Sequence, residues 1–237
     1  MFHRRSGLVV LLCFILISFF GILGLSASMF PHGYDWRYRV ISNLLSPRDN
    51  PQYYQLAACG LVLTGLLMIP FAIHLNQQLA PVSKLGARIA AGLFLLGVIA
   101  LIADCSIVPQ HAHATLGIRR FHELLARSAA GFIALSMLIS CWCAWKGRSR
   151  IFPQSLFWIW AAVTVLPLAG VLCSKALLTL AQFDPALSQP IRRFFRHSVF
   201  WHLGFWEWIG AAAIFVFLCG ATFLLPGSDM RLTESDR

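Results

Sequence analysis

Charged residues are scarce in this chain, and acidic residues are the scarcer kind. Only 12% of its 237 residues are charged, and 9 acidic residues stand against 19 basic ones. A soluble globular domain usually carries about a quarter charged residues. The shortage of charge, together with 58% hydrophobic residues and a mean hydropathy of +0.72, excludes an ordinary soluble domain and predicts a polytopic membrane protein.

The chain also lacks the cysteine spacings of zinc knuckles and disulfide frameworks. Its seven cysteines all lie in or at the ends of apolar runs, so we interpret them as packing residues. A continuous basic face is missing too, because the net charge of +10 comes from residues spread between apolar runs. Nucleic acid is therefore excluded as a partner, membrane lipids are the expected one, and the sequence names no protein partner.

Six apolar runs are long enough to cross a bilayer, which takes about 20 residues in a helix. They predict an all-α bundle of six transmembrane helices, at residues 7–28, 54–74, 85–108, 126–145, 154–180 and 200–225. Residues 1–227 form one domain in this prediction, and 228–237 form a short polar tail. The first run is longer than the apolar core of a signal peptide, so it is interpreted as an uncleaved span.

The connections differ in polarity between the two sides of the predicted bundle. Segments 29–53, 109–125 and 181–199 share one side and hold most of the unusual polar residues. Both termini are predicted to be cytoplasmic because the connections on the other side are short and plain, although arginines on both sides weaken the positive-inside rule. A polar site on the exoplasmic side is the consequence, and the membrane is expected to be a bacterial inner membrane.

Charged residues inside the predicted spans are expensive in lipid and usually face the bundle interior. Two acids and two bases lie at comparable depth near the same side, namely Asp104, Arg127, Lys175 and Glu207. One interpretation is a structural salt-bridge cluster. The other is the floor of a polar pocket in which pKa values are displaced and proton transfer becomes feasible.

Histidines are concentrated on the same side of the predicted bundle. The five in question are His111, His113, His122, His197 and His202. Histidines with Asp104 or Glu207 form the kind of set that ligates catalytic zinc, but no diagnostic zinc spacing is present. No cofactor is predicted, and zinc is kept as an alternative.

The last polar connection leads into the sixth apolar run. If residues 190–224 form one helix, its periodicity places Arg193, His197 and Glu207 on one stripe. That stripe predicts two anion-holding residues, Arg193 and His197, beside the Glu207 carboxylate.

The stretch 34–53 is a long polar interruption between apolar runs. Ser42, Asn43 and Arg48 are predicted to rim the site, and Lys175 and Arg127 to bind substrate from deeper positions. Ser42 could serve as a nucleophile, but no GxSxG elbow surrounds it, and serines beside prolines also cap turns. Both interpretations of Ser42 stay open.

Four elements read together resemble the six-span membrane superfamily of the FRAG, DRAM and Sfk proteins, with the related bacterial family of unknown function. They are ISNLLSPRDNP before the second span, Asp104, FHELLAR opening the fourth span, and FWEWIG in the sixth. Ile41, Ser42 and Pro51 match the family's Ile-Ser…Pro element, His122 its histidine, and Glu207 its Glu-Trp pair. The chain departs from the family where Leu44 and Leu45 precede Ser46, since glycine often follows the serine there.

The resemblance implies a lipid-associated site on the outer or lumenal face. Residues and resemblance together predict binding of a lipid or amphiphile head group above a polar floor of Asp104, His122 and Glu207. If the protein is an enzyme, hydrolysis or group transfer fits best, with His122 or Glu207 as general base. The alternative is a non-catalytic structural subunit or small transporter whose intramembrane charges are only structural.

Overall fold

The computed structural model describes residues 5–107, 121–147, 154–183 and 198–223, together with the isolated positions 186, 189, 190 and 193. Among these residues, six helices are long and apolar enough to cross a membrane. The predicted all-α fold with six spans is therefore confirmed. We label them α1 (Arg5–Leu16, continued through Ile17–Gly21 to Ile22–Ser28), α2 (Tyr54–Leu79), α3 (Lys84–Ser106), α4 (Phe121–Lys146), α5 (Gln154–Phe183) and α6 (Leu203–Phe223).

The helices are arranged as a closed bundle in chain order. Helix α3 packs between α2 and α4, α5 packs mainly on α6, and α1 contacts both α2 and α6. Close approach of α3 and α4 is possible because Gly97 has no side chain: a Cβ there would lie 2.6 Å from Cγ1 of Ile133. Small residues at helix contacts are how membrane bundles gain van der Waals packing where the hydrophobic effect gives little.

Helix α1 contains a π-helical turn at Ile17–Gly21. The Ser18 hydroxyl lies in this turn, donates to the Ile15 carbonyl at 3.0 Å, and lies 2.8 Å from the Thr64 hydroxyl of α2. A buried hydroxyl needs such partners because lipid offers none. The turn thus adds a polar contact to the seam between α1 and α2.

Large apolar side chains cover much of the outer surface of the bundle. Leu85, Leu166 and Leu172 are each exposed by 67% or more, and all lie in or next to candidate spans. Such a surface suits lipid and not water. The chain is accordingly an integral membrane protein, while the side on which its termini lie stays a prediction.

The helices that follow the polar connections 109–125 and 181–199 begin at other residues than predicted. Helix α4 begins at Phe121, five residues before the predicted span, so His122 lies in its first turn. The expectation of one helix over 190–224 is wrong. A 3₁₀ turn at Val199–Trp201 is preceded by Ser198 and followed by His202, and both of these residues have extended backbone. Helix α6 starts only at Leu203. Arg193 therefore does not continue the helical stripe of Glu207.

Candidate functional site

The connection between α1 and α2 is held in shape by its own asparagines. Asn43 accepts a hydrogen bond from the Val40 amide at 3.1 Å and donates to the Asp49 carboxylate at 3.0 Å. Asn50 is fully buried and donates to the Ser26 hydroxyl at 2.9 Å and the Leu44 carbonyl at 3.0 Å. Asn43, predicted to rim a binding site, thus has its amide engaged within the connection.

This connection is seated directly on the first turn of α6. The backbone of Arg39 lies so close to Gly204 that a Cβ at Gly204 would be 2.5 Å from the Arg39 carbonyl oxygen. One turn further along α6, Glu207 accepts a hydrogen bond from the Ile41 amide at 2.9 Å. Only a residue without a side chain fits at position 204. Gly204 therefore permits the close approach of the Arg39 backbone, and the hydrogen bond from Ile41 to Glu207 stabilises it.

A second hydrogen bond, between two aromatic side chains, joins the same connection to α6. The indole N–H of Trp208 donates to the phenolic oxygen of Tyr34 at 3.0 Å, and that oxygen lies 3.0 Å from the carbonyls of Arg39 and Val40. Burial, with a smaller contribution from the Glu207 carboxylate, raises the pKa of Tyr34 to about 12. The phenol is therefore neutral at ordinary pH and available as a hydrogen-bond donor.

A histidine–carboxylate pair lies at the same end of the bundle. The Nδ1 atom of His122 lies 2.7 Å from Oδ1 of Asp104, which joins the first turn of α4 to the last turn of α3. The distance is that of an ion pair, and neither atom has a further hydrogen-bond partner among the described residues. The Asp104 side chain is 4% exposed and the His122 side chain 27%.

The electrostatics of this pair favour the protonated imidazole. The Asp104 carboxylate holds the pKa of His122 above its usual value, against the opposing effect of burial. The Glu207 carboxylate adds a smaller contribution in the same direction. The same Glu207 carboxylate also contributes to the raised pKa of Tyr34.

The structure brings together the three residues predicted to do acid–base chemistry. Asp104 and His122 are in direct contact, and Glu207 is close enough to influence His122. Their placement at one end of the bundle agrees with the connectivity argument. Their catalytic roles stay predictions.

The residues predicted to bind substrate are more dispersed. Ser42 opens a single helical turn at Ser42–Leu45 and is half-buried, and Arg48 is exposed in the same connection. Arg127 is exposed on α4, and its role in binding stays a prediction. Arg193 is helical and exposed, Lys175 is described only by its backbone in α5, and His197 lies outside the described residues.

Within the described ranges, no three His, Cys, Asp or Glu residues come together in a metal-binding group. Two histidines of the zinc alternative, His111 and His113, lie in the segment 108–120 that is not described. The zinc alternative stays a prediction.

An open depression lies in the connection itself and not around Asp104. It has a volume of about 640 Å³ and is lined by His32, Gly33, Tyr34, Asp35, Trp36, Arg37 and Arg39. His32 and Gly33 both have positive φ, at 60° and 80°, which turns the chain sharply behind the depression. The depression is polar and faces outward.

Sequence reasoning missed Tyr34, Arg39 and Gly204 as organising residues. The sequence feature that could have identified Gly204 is its position one turn before Trp208, because positions i and i+4 share a helix face. No sequence signal pairs Trp208 with Tyr34, because the contact joins residues 174 positions apart.

No protein-family model matches this chain, and the comparisons found no similar curated protein and no similar solved structure.

Proposed function

We propose that this protein is a membrane-embedded hydrolase or transferase that acts on the polar head group of a lipid or related amphiphile. In this proposal, its site faces the exoplasmic side of a bacterial inner membrane. The observation that carries the proposal is the 2.7 Å contact between His122 Nδ1 and Asp104 Oδ1 at one end of the bundle.

The pair has the parts of a general base. A carboxylate at Nδ1 orients the imidazole and stabilises the imidazolium, so that Nε2 is the atom that accepts a proton. The proton would come from a water or a substrate hydroxyl, whose oxygen then attacks the head-group ester. The broken bond leaves its electron pair on the departing oxygen, and His122 returns the proton there. A pKa raised by Asp104 brings this histidine nearer to neutral working pH.

The depth of the pair supports a lipid substrate. His122 lies two residues before the candidate span Leu124–Lys146, and Asp104 two residues before the end of the candidate span Lys84–Ser106. Both positions are at the level where apolar helix gives way to connections, which is where head groups lie in a bilayer. A substrate anchored in the membrane would present its polar bonds at this level.

One observation favours the second candidate, a non-catalytic membrane protein or small transporter. Glu207 accepts the Ile41 amide at 2.9 Å, which is a structural use of an intramembrane charge. This bond supports a structural role for Glu207 in holding the connection on α6. It does not bear on the proposed acid–base roles of His122 and Asp104.

The test compares the lipids of cells that lack the protein with those of cells that express it. We expect one head-group class to change with the wild-type protein, and the change to be lost with His122→Asn and with Asp104→Asn. Loss of a general base costs about 10²–10⁴-fold in rate, which removes detectable turnover.

His202→Asn is the matched control, because His202 is half-buried at the same end of the bundle and packs on the Tyr38 ring at 4.6 Å. It should leave the lipid change intact. An identical lipid profile with and without the wild-type protein would contradict the enzyme proposal and favour the structural candidate.

A further inference from the structure

Arg39 lies in an unusual position for a cation at the end of a membrane bundle. Its guanidinium carbon lies 4.9 Å above the centroid of the buried Phe30 ring. Its own backbone is fixed on both sides, because its amide donates to the Asp35 carbonyl at 2.9 Å and its carbonyl packs on Gly204. The side chain is therefore anchored before any ligand binds.

The guanidinium of Arg39 has no carboxylate or other hydrogen-bond partner among the described residues. A ring beneath the guanidinium plane contributes cation–π attraction but leaves the N–H groups along its edge unused. Neighbouring Arg37 differs, since its Nε and Nη2 atoms both donate to the Asp35 carboxylate at 3.0 Å. Arg37 thus has its charge and two of its five N–H donors engaged by Asp35, whereas the five donors of Arg39 remain for an anion.

The charged side chains that line the open depression sum to a positive charge. Arg37 neutralises Asp35 there, and burial keeps the Tyr34 phenol neutral because its pKa is raised to about 12. The uncompensated charge that lines the depression is thus that of Arg39. A volume of about 640 Å³ is ample for a phosphate group with its glycerol.

Aromatic contacts place the depression at head-group depth. The Trp36 ring stacks on Phe205, in the first turn of α6, with ring centroids 5.9 Å apart. Trp36 and Tyr38 are nevertheless 45% and 48% exposed. Exposed Trp and Tyr beside the first turn of a span are typical of the membrane–water interface.

We infer that this depression is a binding site for the phosphate of an anionic phospholipid, with Arg39 as its principal ligand. The planar guanidinium fork can donate two parallel hydrogen bonds to two oxygens of one phosphate. The position of the depression at the membrane–water interface favours a lipid over a free solute. The inference does not rest on the proposed reaction, because binding can be measured without turnover.

The experiment measures lipid binding to the whole chain. Native mass spectrometry in detergent records how much added phosphatidylglycerol or phosphatidylcholine stays bound. We expect wild-type protein to retain phosphatidylglycerol preferentially, and Arg39→Gln to weaken that binding roughly tenfold. Arg39→Lys should fall between the two, since it keeps the charge and loses the fork. Arg88→Gln removes an exposed arginine near the start of α3, outside the depression, and is the matched control, which should bind as the wild type does.

Equal binding of phosphatidylglycerol by wild type and Arg39→Gln would overturn the inference, as would an equal loss in Arg88→Gln. Competition by glycerol phosphate at the concentration of the lipid would overturn the lipid assignment and identify a soluble anion. If Arg39→Gln does not fold, Arg39→Lys decides: unchanged selectivity and affinity in that folded variant counts against a bidentate phosphate site.

Discussion

The indole of Trp208 donates a hydrogen bond to the phenolic oxygen of Tyr34 across 174 positions of sequence, at 3.0 Å. This contact ties the last described helix to the first polar connection. Together with the bond from Ile41 to Glu207, it closes the end of the bundle at which Asp104 and His122 meet.

Removing the Tyr34 hydroxyl should loosen this end of the bundle. Tyr34→Phe leaves the Trp208 N–H without its acceptor and the Arg39 carbonyl without its hydroxyl donor, while the Val40 carbonyl keeps the Asn43 amide. We expect a loss of about 1–3 kcal/mol in the free energy of unfolding, measured by thermal or denaturant unfolding in detergent. Tyr38→Phe is the control, because Tyr38 is 48% exposed, and its change should stay within about 0.5 kcal/mol. Equal effects of the two variants would contradict this assignment.

A methyl group at position 204 should push the connection off α6. In Gly204→Ala the new Cβ would lie 2.5 Å from the Arg39 carbonyl oxygen, so the backbone must shift, at a cost of about 1–3 kcal/mol in unfolding free energy. Gly131→Ala on α4 is matched to it, since nothing lies within 4 Å of the new Cβ. That variant should be neutral or more stable by up to about 1 kcal/mol, from helix propensity alone. A neutral Gly204→Ala would show that the contact is not tight.

The His122–Asp104 pair should make stability depend on pH. Because Asp104 raises the pKa of folded His122, protonation favours the folded state. This contribution is complete below the unfolded pKa of about 6.5 and is lost as pH rises through the higher folded pKa. The carboxylates acting on the ring are Asp104 from α3 and Glu207 from α6.

The measurement for this pair is the difference in unfolding temperature between wild type and His122→Asn, taken across the neutral range. We expect the difference to be largest at the acidic end and to shrink as pH rises. A difference that is constant with pH, or that grows toward alkaline pH, would contradict a histidine stabilised by Asp104.

The polar residues illustrate how far sequence reasoning reached. Connectivity alone predicted that Asp104, His122 and Glu207 belong to one end of the bundle, because successive spans must return the chain to the same side. It did not predict that Asn43 would bond within its own connection, since Val40 and Asp49 become its partners only through the fold of that segment. The stripe from Arg193 to Glu207 failed because extended backbone at Ser198 and His202 interrupts the helix.

Some features of this protein thus follow from single segments of sequence, and others follow from contacts between distant segments. The six apolar runs determined the membrane class and the number of spans, because burial in lipid is a property of each segment that hydropathy measures directly. Which polar residues meet was decided by tertiary structure: Gly204 admits the backbone of Arg39, and Trp208 reaches Tyr34. Those contacts depend on the relative placement of separate elements, and no local pattern in the chain encodes that placement.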